Sequence, residues 1–298
     1  MSVHTPLHLR YEEQMKDHPY GLALYKPTST KLLRPGSVGY WNDLGDWQPI
    51  AQLDDPESLQ QKRLKAPEEE LERAKYKVIT DWDRKYSTLV TETNVTGQVG
   101  VEIPGAPASE ALTFEYKSSG NFGAILITEK PIHREAFHHE SPFKRWVKDN
   151  VDALMESKHK DEIKSHRLSI VTDVYSTKKS SLTTWTDSSR TIRVGFKVTA
   201  QNAVDAADEE VVVFASGFKF HIHELLGWTK VTTHPLESTS RLAGDAKDET
   251  IDEETRQKVI TMKSPGRNDT GYEIRLDTFG KPQHEGEKEE EEESDDNL

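Results

Sequence analysis

The chain has 298 residues, a formal net charge of −13, 34% hydrophobic and 31% charged residues, and no cysteine. That length allows one large or two small domains with a real core, and the missing thiols exclude disulfides, zinc–thiolate sites, thiol nucleophiles and iron–sulfur clusters. No run of 18 apolar residues occurs, so no membrane-spanning helix is expected, and the opening MSVHTPLHLRYEEQMKDH lacks the apolar centre of a secretory signal; the missing thiols fit a reducing compartment.

The charge is unevenly spread. Residues 237–298 hold 9 Lys/Arg against 19 Asp/Glu, a net of −10, and residues 1–236 carry the remaining −3. A nearly balanced body with an acidic appendage points to an appendage that can mask something on the body.

Along the chain, residues 19–50 alternate short apolar runs with breakers at Lys26-Pro27, Arg34-Pro35-Gly36 and Asp43-Leu44-Gly45-Asp46. This predicts two or three short strands with Tyr40, Trp41 and Trp47 on a core. Residues 54–77 have helical spacing around Leu59, Leu64 and Leu71, interrupted at Pro67. A first long β region covers 78–130. Val95, Val99, Val101 and Ile103 share one face, Leu112 and Phe114 resume the alternation, and beyond Gly120 the set Phe122, Ala124, Leu126 alternates against Gly123, Ile125, Ile127. Residues 133–166 read as helical, with Ser141-Pro142 as a start signal and Phe143, Trp146, Val147, Val151 and Leu154 at core spacing.

The second β region, 168–225, opens with LSIVTDVYSTKKSSLTTW, read as an amphipathic hairpin. Ile192, Val194, Phe196 and Val198 then share a face, with Arg193 and Lys197 opposite, and VVVFASGFKFHIHE supplies a more buried strand in which Gly217 marks a bulge. Residues 236–248 read as an exposed linker. Thr250-Ile-Asp-Glu253 is a capping box that predicts a helix of about 13 residues with Ile251, Val259 and Met262 as its apolar stripe. A strand through Tyr272, Ile274 and Leu276 follows, and the acidic block from Gly280 is expected to be disordered.

Motifs for chemistry are weak. His221, His223 and Glu224 put two imidazoles on one strand face, but a zinc site needs three or four ligands; His138-His139-Glu140 cannot converge on one ion. There is no nucleophile elbow, P-loop or dinucleotide fingerprint, and no nucleic-acid-binding signature. The reading is therefore non-enzymatic, with no cofactor, no metal and no nucleic-acid partner.

A β-strand crosses a bilayer in about 9–11 tilted residues and needs only alternate residues apolar. Both long β regions satisfy this, although any half-buried antiparallel sheet alternates the same way. On periodicity alone, a membrane-inserting ribbon and a permanently buried sheet of a binding or interaction module both remain open.

The order of the pieces resembles the pore-forming domain of gasdermins. It runs from a polar N-terminal segment through KYSTLVTETNVTGQVGVEI and ALTFEYKSSGNFGAILIT, then a helix opened by HESPFKRWVKDNVDAL, then LSIVTDVYSTKKSSL and a second hairpin. Leu168 to Thr177 is similar to a family strand of the form L-x-V-V-x-E-V-x-x-T, filled here by Ile170, Val171, Asp173, Val174 and Thr177, with Asp in place of Glu. The resemblance spans roughly residues 10–235. With only about 60 residues after Pro235, the chain is similar to short fungal gasdermin-like proteins rather than to members with a large helical repressor.

The resemblance implies an α+β fold, a twisted and mostly antiparallel sheet with two long β-hairpin regions, flanking helices and a short C-terminal segment. It divides the chain into a pore-forming domain (1–235), a linker (236–248), a masking segment (249–279) and an acidic tail (280–298). It implies an autoinhibited protein, cytoplasmic until a protease cuts the linker around Leu236, Arg241, Leu242 and Asp248. The released body would bind acidic phospholipid at the plasma membrane, assemble with copies of itself into a β-barrel pore and cause regulated cell death. The expected lipid-binding residues are Arg10, Lys16, Lys26, Lys31, Arg34, Lys178 and Lys179. The expected inserting faces carry Val95, Val99, Val101, Leu112, Phe114, Ile192, Val194, Phe196 and Val198.

Overall fold

The computed structural model describes residues 5–99, 110–186, 191–197, 209–225, 248–252, 257–265 and 271–279. These form a mixed α+β fold in which every strand pairing is antiparallel.

Two long strands, β10 (Leu168–Thr177) and β13 (Val211–Leu225), pair along the whole of β10 and form the spine of a ten-stranded sheet. The ladder breaks once at Thr172, which bulges opposite Gly217 and Ser216, and shifts again between Tyr175 and Ser176. Gly217 is required at the first break: a Cβ there would lie 2.0 Å from the Ile170 carbonyl oxygen. A bulge adds local twist, and each spine strand divides its outer edge near this point. On β13, the first half pairs with β1 (Leu22–Ser29) and the second with β16 (Gly271–Phe279). On β10, the first half pairs with β2 (Ser37–Trp41), itself paired to β3 (Trp47–Gln52), and the second with β9 (Ile132–Ala136), itself paired to β4 (Lys77–Ile79).

The spine strand β10 is buried on both faces and is not amphipathic. Nor do β10 and β11 (Ser180–Trp185) form a hairpin. After Lys178 and Lys179 the chain leaves the large sheet, and β11 pairs with β8 (Gly123–Thr128). The hydroxyls that look like a polar face are consumed internally: Thr177 Oγ1 donates to the Glu129 carbonyl at 2.7 Å and Ser176 Oγ to Glu210 at 2.6 Å.

Helix α3 (Ser141–Met155) lays Phe143, Trp146, Val147, Val151 and Leu154 on the sheet, as its spacing predicts. They share a core with Leu168, Ile170, Phe218, Phe220 and Ile222 of the spine and with Tyr272, Ile274 and Leu276 of β16. Trp146 Nε1 and Asn150 Nδ2 donate to the Lys65 carbonyl, and Asn150 Oδ1 accepts from the Lys65 amide, which ties the irregular 62–76 segment to the helix. That segment corrects the predicted 54–77 helix: only α2 (Pro56–Gln61), capped by Asp55, is helical. The 133–166 region is likewise not helical throughout, since it starts with β9 and ends in the separate α4 (Lys160–His166). The N-terminal segment contains a helix, α1 (Leu7–Gln14), with Tyr11 fully buried.

The C-terminal region departs most from expectation. No helix starts at Thr250. Instead β14 (Asp248–Asp252) and β15 (Gln257–Pro265) form a hairpin, and β15 pairs with β16. Backbone pairing to β16 outweighs the local capping box, and Thr250, Ile251, Val259, Ile260 and Thr261 are β-branched residues that suit strands. Asp248, expected in the linker, is the first residue of β14. Strands β14, β15 and β16 thus extend the same sheet as the body.

Replacing Gly217 by Ala forces a methyl against the Ile170 carbonyl. The expected loss is about 2 kcal/mol or more of unfolding free energy, read from the urea midpoint at unchanged slope.

Candidate membrane ribbon and its C-terminal lock

Outside the ten-stranded sheet, two short sheets run end to end. In the first, β5 (Lys85–Tyr86) and β11 flank β8. In the second, β6 (Val90–Val99) and β12 (Thr191–Lys197) flank β7 (Glu110–Ser118). Because β5 leads to β6, β7 to β8 and β11 to β12, they make one three-stranded ribbon with a break at residues 119–122. The register aligns Val95, Phe114 and Val194 in one row and Gly97, Leu112 and Phe196 in the next; Val99 is opposite Glu110, and Ile192 opposite Tyr116. Directly paired residues share a face, so the three strands place the expected apolar positions together, with Arg193 and Glu115 paired on the other face. Val101 and Val198 lie outside the described residues.

The second expected hairpin is corrected here. β12 does not pair with β13; it pairs with β7, and β13 stays in the spine. Pairing partners so far apart in sequence leave no local trace.

The ribbon has its own small core, Val90, Tyr116, Ile125, Ile127 and Trp185, against which Ile192 packs. Strand β8 is the shared wall: Ile125 and Ile127 face this core, while Ala124 and Leu126, with Phe122, join Tyr11, Met15, Trp82, Tyr175 and Phe214 in the body. This two-faced division matches the alternation read from the sequence.

At the ribbon's root, α1 and the residues after it form a clasp. Arg10 stacks on Phe122, 4.6 Å from the ring centroid, and donates to the Asn121 carbonyl at 3.3 Å. Thr88 donates its hydroxyl to Asp17 at 2.6 Å and its amide to the Gln14 carbonyl at 3.4 Å. His18 Nε2 donates to the Tyr86 carbonyl at 3.0 Å. Burial, and then the Lys85 ammonium, hold His18 below the ordinary histidine range, against the Tyr86 carbonyl and Asp17, which act the other way. Lys85, itself buried, lies 4.5 Å from the Trp82 ring centroid and 4.7 Å from that of Tyr20. Sequence reasoning missed this clasp; Tyr11 and Met15, four apart and both fully buried, were its signal.

The second feature is the seam between β13 and β16. Nine consecutive residue pairs, Gly217↔Phe279 to Leu225↔Gly271, join them. On the α3 side Tyr272, Ile274 and Leu276 are buried; on the other side Phe279 packs with Trp47, Val171 and Val174. The same side carries charge. Asp277 is opposite Lys219, 3.0 Å from His221 Nε2 and 3.8 Å from Arg167. Burial pushes Lys219 below its ordinary value, with Glu12 and Asp277 opposing the shift, and its ammonium lies over the rings of Trp41 and Phe279. His221 is lowered by burial and then by Arg167, against Asp277. One carboxylate of the C-terminal segment therefore serves three basic groups of the body. Among the described residues no cluster of His, Cys, Asp and Glu is arranged to hold a metal ion.

The expected lipid-binding cations are dispersed. Lys16 pairs with Glu13 at 2.6 Å, Lys26 with Asp46 at 2.7 Å, Lys31 with Glu209 at 3.4 Å, Arg34 with Asp54 at 3.4 Å and Lys179 with Glu129 at 3.9 Å. Lys178 stands beside Lys179 at the β10–β11 corner and Arg10 is in the clasp. Of these, Lys31 and Arg34 line a common cavity. Exposed pairs of this kind contribute little to stability, about 0–1 kcal/mol each, and can exchange partners. Of the expected linker residues, Leu236, Arg241 and Leu242 lie outside the described residues.

No family model, curated protein or solved structure matches the chain.

A histidine whose folded pKa is depressed contributes stability that is present above its unfolded value, about 6.5, and lost as pH falls below it. His18 and His221 both act this way, as do His8 and His159, each lowered first by burial. The melting temperature should fall between pH 7.5 and pH 5.5, and His18→Asn should show a smaller fall; an identical fall would remove His18 from the account.

Proposed function

We propose that the chain is a gasdermin-like, non-enzymatic pore-forming protein held inactive by its own C-terminal strands. The observation that carries the reading is the ribbon, with the apolar positions of β6, β7 and β12 in register on one face and a root held to the body by one wall strand and a clasp. A ribbon of this kind can swing out as a unit without dismantling the spine. Strands of 7 to 10 residues are near the length that crosses a bilayer when tilted, and in a closed ring of copies their edges are paired.

In this reading β16 is the lock. It occupies the edge of β13 from Gly217 to Leu225, an edge through which one copy could join the next. It also sets Asp277 against Lys219 and Arg167, and residues 237–298 as a whole carry −10 of the −13 charge. Their departure leaves the body at −3 and frees cations for an anionic leaflet, where each is worth about 1 kcal/mol.

Magnitudes indicate what cleavage does. Burial of Tyr272, Ile274, Leu276 and Phe279 contributes about 1.5–3 kcal/mol for each side chain. Holding a free strand costs an estimated 4–15 kcal/mol of association entropy. The two are comparable, so cutting the linker turns a permanent contact into one that dissociates on dilution or is drawn apart by a membrane. The sequence of events proposed is a cytoplasmic protein cut by a protease, then recruited to acidic phospholipid and assembled with its own copies at the plasma membrane.

The test is dye release from phosphatidylserine vesicles by protein carrying a specific protease site between Leu236 and Asp248. Intact protein should release none. Cut protein should release dye, and cut Ile274→Ala/Leu276→Ala protein should do so at roughly ten-fold or lower concentration, since each truncation costs about 2–5 kcal/mol. Intact vesicles and a monomeric particle in every case would favour the alternative, a binding module whose sheet is permanently buried.

A further inference from the structure

A cavity of about 470 Å³ lies where α1, the start of β1, the β2–β3 turn, the end of α4 and β13 meet. Its volume falls in the usual range of small-molecule sites, about 300–1,000 Å³. The apolar part of the lining is Pro6, Leu9, Leu22 and Trp41. Leu9 is 45% exposed, so the cavity opens to solvent.

Two ionisable side chains from separate elements face this cavity, Glu12 of α1 and Lys219 of β13. They carry opposite formal charges, and each opposes the other's shift, yet they do not pair. Among the described residues neither side chain makes a hydrogen bond or an ion pair with any group. The Lys219 ammonium is held over aromatic rings instead, 5.6 Å from the Trp41 centroid and 5.7 Å from that of Phe279. Burial raises the Glu12 carboxyl above its ordinary range, so it keeps a proton more readily. Burial lowers Lys219, and Arg167 acts in the same direction, against Glu12 and Asp277. A lysine desolvated beside another cation is an activated nucleophile.

The other charged groups of the lining differ from these two. His166 pairs with Asp43 at 3.6 Å and stacks on Tyr40. Arg167 pairs with Asp277 at 3.8 Å, a long contact that leaves its further donors for a second anion.

We propose that this cavity is a covalent site for a small aldehyde bearing a carboxylate, with Lys219 as the amine that forms an imine, Glu12 as the proton donor and Arg167 as the anchor of the carboxylate. The Lys219 amine adds to the carbonyl carbon, and a proton passes from its nitrogen to the new hydroxyl oxygen. Glu12 then protonates that hydroxyl, water leaves, and the nitrogen lone pair closes the C=N bond. The product is an iminium beside the Glu12 carboxylate, one water is released, and no oxidant or reductant is consumed. Trp41 and Leu22 give the body of the aldehyde an apolar surface to pack on.

The experiment treats the intact chain with 4-formylbenzoate and sodium cyanoborohydride, which fixes an imine as a stable amine, and maps the adduct by peptide mass spectrometry. Lys219 should be labelled roughly ten-fold or more faster than the exposed Lys130, and Glu12→Gln should slow Lys219 by a similar factor, since a positioned proton donor contributes about 10²–10⁴-fold. Lys219→Arg, which keeps the charge and removes the nucleophile, should abolish the fast adduct. Benzaldehyde, which lacks the carboxylate, should label Lys219 more slowly than 4-formylbenzoate does. A thermal melt verifies that each variant is folded. The proposal is overturned if Lys219 reacts no faster than Lys130, if folded Glu12→Gln protein is labelled like the unmodified chain, or if benzaldehyde labels Lys219 equally fast. The adduct forms on uncut protein without a membrane, so its outcome is independent of the pore-forming reading.

Discussion

A β-strand has two edges, and the second edge of β13 is the constraint on which this structure turns. The first edge is given to β10. The second is divided, with β1 holding residues before Gly217 and β16 those after it. Backbone groups along an edge must be paired or solvated, and an open edge is a template for another chain. Here the pairing segment also carries side chains that the core needs. If β16 leaves, Phe218, Phe220 and Ile222 lose Tyr272, Ile274 and Leu276 as neighbours. The C-terminal region is thus woven into the sheet and does not simply lie over it.

The electrostatics follow from the same seam. Pairing puts Asp277 opposite Lys219, and the diagonal reach brings in His221. Buried charges persist only when compensated, and here the compensating carboxylate, Asp277, comes from β16, the strand proposed to leave. The ribbon is held by different means. It shares β8 with the body and meets α1 through a few polar bonds at its root. Spine, ribbon and lock have separate interfaces, which is what a protein needs if one part is to move while another stays folded.

Much of this organisation is legible in the sequence where the periodicity is local. The i, i+3, i+4 spacing from Phe143 to Leu154 gives α3 and its buried face. The opposed sets at 122–127 give the two cores on either side of β8. Gly217 in an apolar strand gives the bulge, and Tyr272, Ile274 and Leu276 give the buried face of β16. What fails is what depends on distant partners. The capping box at Thr250 is sound local chemistry, but β15 is claimed by β16. The hydroxyls of β10 look like a wet face until Glu129 and Glu210 are brought to Thr177 and Ser176. The pairing of β12 with β7 joins residues about 80 positions apart. Of the candidate site, the apolar positions of the ribbon were readable, whereas the grouping of its cations was not: Lys31 and Arg34 share a cleft with Lys62 and Lys158, which no spacing in the sequence connects to them.

The absence of native cysteine allows the lock to be tested directly. His223 and Glu273 are paired across the β13–β16 seam and neither bonds Asp277, so His223→Cys/Glu273→Cys can be oxidised to staple the strand in place. Protein stapled in this way, with its linker cut, should leave acidic vesicles sealed, and adding a reductant should start dye release. Release from the oxidised form, or none after reduction, would contradict the claim that β16 holds the pore-forming body inactive.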